Sequence, residues 1–149
     1  MSKVVLREAT IADVDAIFAM AHELAVFEEL EGNFVAKPED YLEALFGPQS
    51  PATVIVAEID GEPVGMALYV RTFSTFLGRT GIWLEDLFVR EHARRRGIAS
   101  LLLEELQRRT SGRVEWEVLD WNQGAIELYE RAGASPFAGW IKYRIQPKG

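Results

Sequence analysis

The sequence predicts an α+β domain whose central sheet is mostly antiparallel, with one parallel strand pair. Three observations carry that expectation. Asp60-Gly61 lies between two strand-like runs and is a strong signal for a tight hairpin. Residues 82–132 read as strand, helix, strand, helix, the order that joins parallel strands by a crossover. The 149 residues, 48% of them apolar, suit a single core and show no linker, repeat or low-complexity stretch.

The elements follow in order. Residues 4–7 are a short β-branched strand. Thr10 reads as a helix N-cap with Asp13 three residues on, and Ile11, Val14, Ile17, Phe18, Ala21 and Leu24 continue at helical spacing to about Ala25. Pro38 suits the first turn of a second helix, with Tyr41, Leu42, Leu45 and Phe46 on one face and Gly47 as its stop. Residues 53–59 and 64–71 flank the hairpin turn, and residues 82–89 form a third strong strand. Residues 97–110 are helical, with Ile98, Leu101, Leu102 and Leu106 on one stripe. Residues 114–119 read as a strand, Asn122 caps a helix to Ala132, and Gly133 stops it. Residues 140–145 alternate as a closing strand.

Composition excludes several function classes. Sixteen Lys and Arg against twenty-three Asp and Glu give a net charge of −7, which argues against a nucleic-acid partner. Cysteine is absent, which removes disulfides, thiolate metal sites and thiol nucleophiles. Two histidines make a His-rich metal site an unsuitable reading, so no metal is expected. No apolar run approaches a membrane span and no signal-peptide core is evident, so a cytoplasmic domain without a membrane partner is expected. His22 falls opposite the main stripe of its helix and reads as a surface residue.

Three segments carry chemistry. Arg94-Arg95-Arg96-Gly97-Ile98-Ala99 sets three cations just before a helix N-terminus, which already bears positive partial charge. A phosphate there relieves the repulsion, and Gly97 and Ala99 let backbone approach it closely; a solvated basic turn is the plainer alternative. In residues 82–89, alternation puts Trp83, Glu85, Leu87 and Val89 on one face and Ile82, Leu84, Asp86 and Phe88 on the other. Both faces are apolar, so each carboxylate must be paired or used, and Glu85 suits a general base. A structural carboxylate holding a loop is the alternative for either acid. Tyr129 shares the inward face of its helix with Ala125, Leu128 and Ala132, as a core aromatic or as a working phenol. Glu28-Glu29-Leu30-Glu31 is a solvated helix end or the lining of a cation site.

In order, LREATIADVDAI near the start, HELAVFEELE at 22–31, WLEDLFV at 83–89, RRRGIAS at 94–100, WNQGAIELYERAGAS at 121–135 and the terminal GWIKYRI resemble the GNAT superfamily of N-acetyltransferases. The resemblance covers nearly the whole chain and is nearest to the spermidine/spermine (diamine) N-acetyltransferase branch. It implies the GNAT fold, a mostly antiparallel sheet with one splayed parallel pair and helices on both faces. It also implies acetyl-CoA as co-substrate, a small-molecule amine as acceptor, and a homodimer.

The resemblance further implies roles for particular residues. Arg94, Arg95, Arg96, Gly97, Ile98, Ala99 and Ser100 match the loop and helix start that hold the pyrophosphate of coenzyme A. The backbone of Leu87, Phe88 and Val89 matches the stretch that receives the acetyl-pantetheine arm, with Asn122 touching that arm. Tyr129 matches the acid beside the thioester sulfur, and Glu85 the carboxylate that takes the amine's proton. Glu28 and Asp86 match residues that meet a cationic substrate. Thr75, Leu77 and Ala138 stand where polyamine-acetylating relatives carry an acid, a tryptophan and another acid, while Glu115 and Glu117 add acid on the next strand. The expected substrate is therefore a small cationic amine, either a diamine or polyamine or a lysine-like amino acid. A non-catalytic acyl-CoA-binding module and a protein lysine or N-terminal acetyltransferase are the rival readings.

Overall fold

A computed structural model describes residues 2–149. Its strands are β1 (Val4–Glu8), β2 (Ala52–Ile59), β3 (Glu62–Ser74), β4 (Arg79–Val89) and β5 (Val114–Glu115). They form one sheet in chain order, antiparallel throughout except for the parallel pair β4–β5. The α-helices are α1 (Val14–Phe27), α2 (Pro38–Phe46), α3 (Ile98–Arg108) and α4 (Gln123–Arg131).

Helices cover both faces of the sheet. One core joins Ile17, Met20 and Ala21 of α1 and Leu45 of α2 to Val54, Val56, Met66, Leu68 and Phe88. The other joins Ile98, Leu102, Leu103 and Leu106 of α3 to Ile55, Ala67, Tyr69, Ile82 and Leu84, with Tyr129 of α4 and Ala132 just after it packed against it. Each fully buried Leu or Ile contributes about 1.5–3 kcal/mol, so these layers hold the sheet rigid beneath the site. At the sheet's other edge, Arg7 bridges Asp13 at 2.7 Å and Glu58 at 2.8 Å. Its guanidinium, bonded to the Asp13 carboxyl, holds that group down to about 2.

Local signals place most elements. Asp60 and Gly61 both adopt positive φ (52° and 79°), the conformation a two-residue hairpin needs to match strand twist. Asn122 accepts a hydrogen bond from the Ala125 amide and caps α4. The first helix opens with a 3-10 turn at Ile11–Asp13, where the Asp13 carboxylate accepts from the Thr10 amide. α3 begins one residue past Gly97, whose φ of 75° makes it the left-handed N-cap.

Three expectations are corrected. β5 ends at Glu115 rather than Leu119, because only Ile82–Val114 and Trp83–Glu115 pair before the two parallel strands part. Residues 140–145 form no strand: among the described residues no edge pairs with them, and Trp140, Tyr143 and Ile145 are 76%, 89% and 96% exposed. The simple alternation along β4 fails at Glu85. Leu84 pairs with Tyr69 and Asp86 with Leu68, so Glu85 is the extra residue of a β-bulge. Ile82 and Leu84 face α3, but beyond the bulge Phe88 faces α1 while Leu87 and Val89 face α3.

Candidate active site

Two cavities meet at Glu85. The larger, of about 520 Å³, occupies the wedge where β5 leaves β4. Leu87, Phe88 and Val89 of the exposed β4 edge form one wall; Glu117, Val118, Asn122, Ala125, Leu128 and Tyr129 form the other. Its mouth is Arg94, Arg95, Gly97, Ile98, Ala99 and Ser100, at the start of α3. The N-terminus of α3 carries no side-chain cap, so its amides point unclaimed into this mouth. Arg94 is fixed beside them: its Nε donates to the Val89 carbonyl at 3.0 Å, and its guanidinium lies over the rings of Phe27 and Phe88 at 5.5 and 5.8 Å. Arg95 sits in the left-handed region at φ 66°, which together with Gly97 curls the loop around the helix start.

The smaller cavity, of about 350 Å³, lies on the α1 side of the sheet. Ala21, Leu24 and Ala25 of α1, Phe34 and Val35 of the following connection, and Tyr41 of α2 line it. Three carboxylates enter it, Glu28, Glu85 and Asp86, and among the described residues its lining includes no Lys, Arg or His. Leu24, Glu28 and Glu85 border both cavities. No group of His, Asp and Glu among the described residues is placed to hold a metal ion.

The electrostatics follow from burial and like charge. Asp86 is pushed up to about 7, first by burial and then by the Glu85 and Glu28 carboxylates. Burial also raises Glu28. The Tyr129 phenol is raised by burial and by the Glu28 charge, which keeps it protonated and able to donate. Glu85 is not enclosed by apolar neighbours as the alternation implied. The bulge leaves it exposed, and its Oε1 accepts from Trp83 Nε1 at 3.0 Å.

The structure brings together most of the residues singled out in the sequence. Glu85, Leu87, Phe88, Val89, Arg94, Arg95, Gly97, Ile98, Ala99, Ser100, Asn122 and Tyr129 line the wedge, and Glu28 and Asp86 line the acidic cavity. Three stand differently. Arg96 turns away and donates to the Ser2 carbonyl at 2.6 Å. Glu115 belongs to the β5 ladder and lines neither cavity. Glu117 lines the wedge but is paired with Lys142 at 2.5 Å. The sequence did not reveal Tyr41, whose phenol is pushed up to about 12 by burial and by the Asp86 and Glu85 charges. Its helical spacing marked it only as an apolar-face residue. Phe27, over which Arg94 lies, and Trp83, whose indole donates to Glu85, carry no signal of those contacts in the sequence.

The geometry can be set beside known proteins. Residues 18–134 match the acetyltransferase (GNAT) family. The chain is 33% identical to a thialysine N-epsilon-acetyltransferase of Sus scrofa over 98% of its own length and 94% of that protein. It is 30% identical to an L-ornithine N5-acetyltransferase of Arabidopsis thaliana over 94% of its length and 83% of that protein. The fold is shared with an integron cassette protein of V. cholerae (TM-score 0.79, 22% identity, 97% and 93% of the two chains). It is also shared with an aminoglycoside N-acetyltransferase in complex with CoA (TM-score 0.75, 18% identity, 99% and 97%). With the splayed β4–β5 pair, the open α3 start and a family match spanning both, the chain belongs to the GNAT family of acetyltransferases.

Proposed function

We propose that the chain transfers acetyl from acetyl-CoA to a primary amine of a small cationic substrate, a diamine or polyamine or a lysine-like amino acid, by direct transfer within a ternary complex. One observation carries the reading: a cavity with a basic mouth and a cavity lined by acids meet at Glu85 and Glu28. An anionic co-substrate and a cationic acceptor are thereby directed to one junction from opposite sides. The names of the thialysine and ornithine acetyltransferase relatives support an amine of this size.

The residues present fit coenzyme A. Arg94, Arg95 and the uncapped amides of α3 would hold its pyrophosphate, and the β4 edge at Leu87–Val89 with Asn122 would hold the pantetheine arm. When bound, acetyl-CoA supplies the thioester carbon that the amine attacks, and it departs as the thiol. A primary ammonium, with a pKa of about 10, must first lose a proton. Glu85 stands at the junction to accept it, while Asp86 and Glu28 hold the cation in place. Tyr129, protonated and on the opposite wall, donates to the departing sulfur. The absence of cysteine agrees with transfer that uses no enzyme thiol.

The resemblance supports a homodimer, and the acidic balance supports a protein without a nucleic-acid partner. No helix among the described residues is long and apolar enough to cross a membrane.

A thiol-release screen with acetyl-CoA against diamines, polyamines, lysine analogues, aminoglycosides and peptides tests the reading. Turnover on a small cationic amine is expected. Tyr129→Phe and Glu85→Gln should each lower it about a hundredfold while coenzyme A still binds. Binding of acetyl-CoA with no thiol release across the panel would instead identify a non-catalytic acyl-CoA-binding module. Release with peptides alone would identify a protein acetyltransferase.

A further inference from the structure

Glu85 occupies an unusual position for a residue that must meet a proton accurately. As the extra residue of the β4 bulge it has no partner on β3, and its side chain is exposed. A glutamate with three free torsions on such a site spreads over many rotamers, and catalysis loses steeply with misplacement of the reacting group. Among the described residues, one hydrogen-bond donor reaches the carboxylate, the indole N–H of Trp83 at 3.0 Å from Oε1.

Trp83 is well founded for that task. It is paired on both sides, with Val70 of β3 and with Glu115 of β5, at the last rung before the parallel strands part. Its backbone is thus held in the rigid part of the sheet, immediately beside the bulge that frees Glu85. The side chain is half-buried and lines neither cavity, so it touches neither reactant. Indole offers a donor and no acceptor, so it engages the carboxylate without competing for the amine's proton.

We propose that Trp83 is a positioning residue for Glu85: its indole N–H holds Oε1 and leaves Oε2 directed at the junction of the two cavities. The bulge and the tryptophan then act as a pair. The bulge turns the carboxylate out of the sheet's regular alternation, and the N–H restores the order that the bulge removes. This assignment rests on Glu85 being the proton acceptor.

The test compares Trp83→Phe with replacement of Trp83 by 3-benzothienylalanine, which exchanges the N–H for sulfur and preserves ring size. Both are measured alone and on Glu85→Gln, using the best amine from the thiol-release screen. With Glu85 present, kcat is expected to fall roughly tenfold, the scale of one charge-assisted hydrogen bond, while KM for acetyl-CoA stays unchanged. On Glu85→Gln the same replacements should add no further loss. Unchanged kcat in the benzothienylalanine protein, with Glu85→Gln still strongly impaired, overturns the role of Trp83 and leaves that of Glu85 standing. Full turnover by Glu85→Gln overturns both. A loss that persists undiminished on Glu85→Gln shows that Trp83 serves packing alone. If Trp83→Phe fails to fold, the benzothienylalanine protein decides.

Discussion

On the proposed reading, Asp86 is the residue through which pH would reach the bound amine. Its carboxyl is pushed up to about 7 by burial and by the neighbouring Glu85 and Glu28 charges, so near neutrality it is partly protonated in the absence of substrate. An ammonium entering the cavity favours the charged carboxylate and expels that proton. Amine affinity should therefore strengthen as pH rises from about 6 to about 8, and weaken as it falls. The substrate does not produce this trend, because its amine stays protonated across the window. KM for the amine at saturating acetyl-CoA should fall with rising pH in the wild type. In Asp86→Asn it should be roughly tenfold higher and flat, one charge-assisted contact having been removed. A slope that survives in Asp86→Asn would assign the titration to another group.

Among the elements, those specified by local chemistry were legible in the sequence and those specified by a distant partner were not. The Asp60-Gly61 hairpin, the Asn122 cap and the Pro38 start of α2 each depend on one or two residues, and each stands where those residues place it. The strand-like side chains of residues 116–119 suggest a longer β5 than forms, because a ladder requires β4 to remain beside them. The β4 bulge was hidden because both faces of that strand are apolar, so a one-residue shift leaves the pattern looking unbroken. The site itself was legible as motifs, but not the meeting of Glu28 with Glu85 and Asp86, which α1 and β4 create only in three dimensions. The α3 start is legible in part: the basic run and Gly97 mark a place where backbone can approach a phosphate, whereas the turn of Arg96 toward the Ser2 carbonyl depends on a residue distant in the chain. At Gly97 a methyl group would meet nothing within 4 Å, but its φ of 75° disfavours any side chain. Gly97→Ala should thus cost about 1 kcal/mol, lower the melting temperature by roughly 2–4 °C, and raise KM for acetyl-CoA by re-aiming the α3 amides. Unchanged cofactor KM alongside the stability loss would detach this loop from phosphate binding.

For the molecule as a whole, the net charge of −7 conceals two local fields of opposite sign. Arg94 and Arg95 line the mouth of one cavity and Asp86 lines the other, with Glu28 and Glu85 at the junction where the two meet. Like-signed fields would draw one reactant and repel the other; opposed fields admit an anionic co-substrate and a cationic amine together. Salt screens both, since the Debye length shrinks from about 20 Å near 0.02 M to about 4 Å at 0.5 M. Raising salt over that range should increase KM for acetyl-CoA and for the amine, with kcat little changed because the proton transfers occur at contact. The two sensitivities should be separable. Arg94→Gln with Arg95→Gln should flatten the response of acetyl-CoA alone, and Asp86→Asn, whose carboxylate lines only the acidic cavity, should flatten that of the amine alone. The measurement is a pair of KM series against salt for the wild type and these variants. A single variant that flattens both responses would mean that the two fields merge at the junction, and that the acceptor is steered by the same charges as the co-substrate.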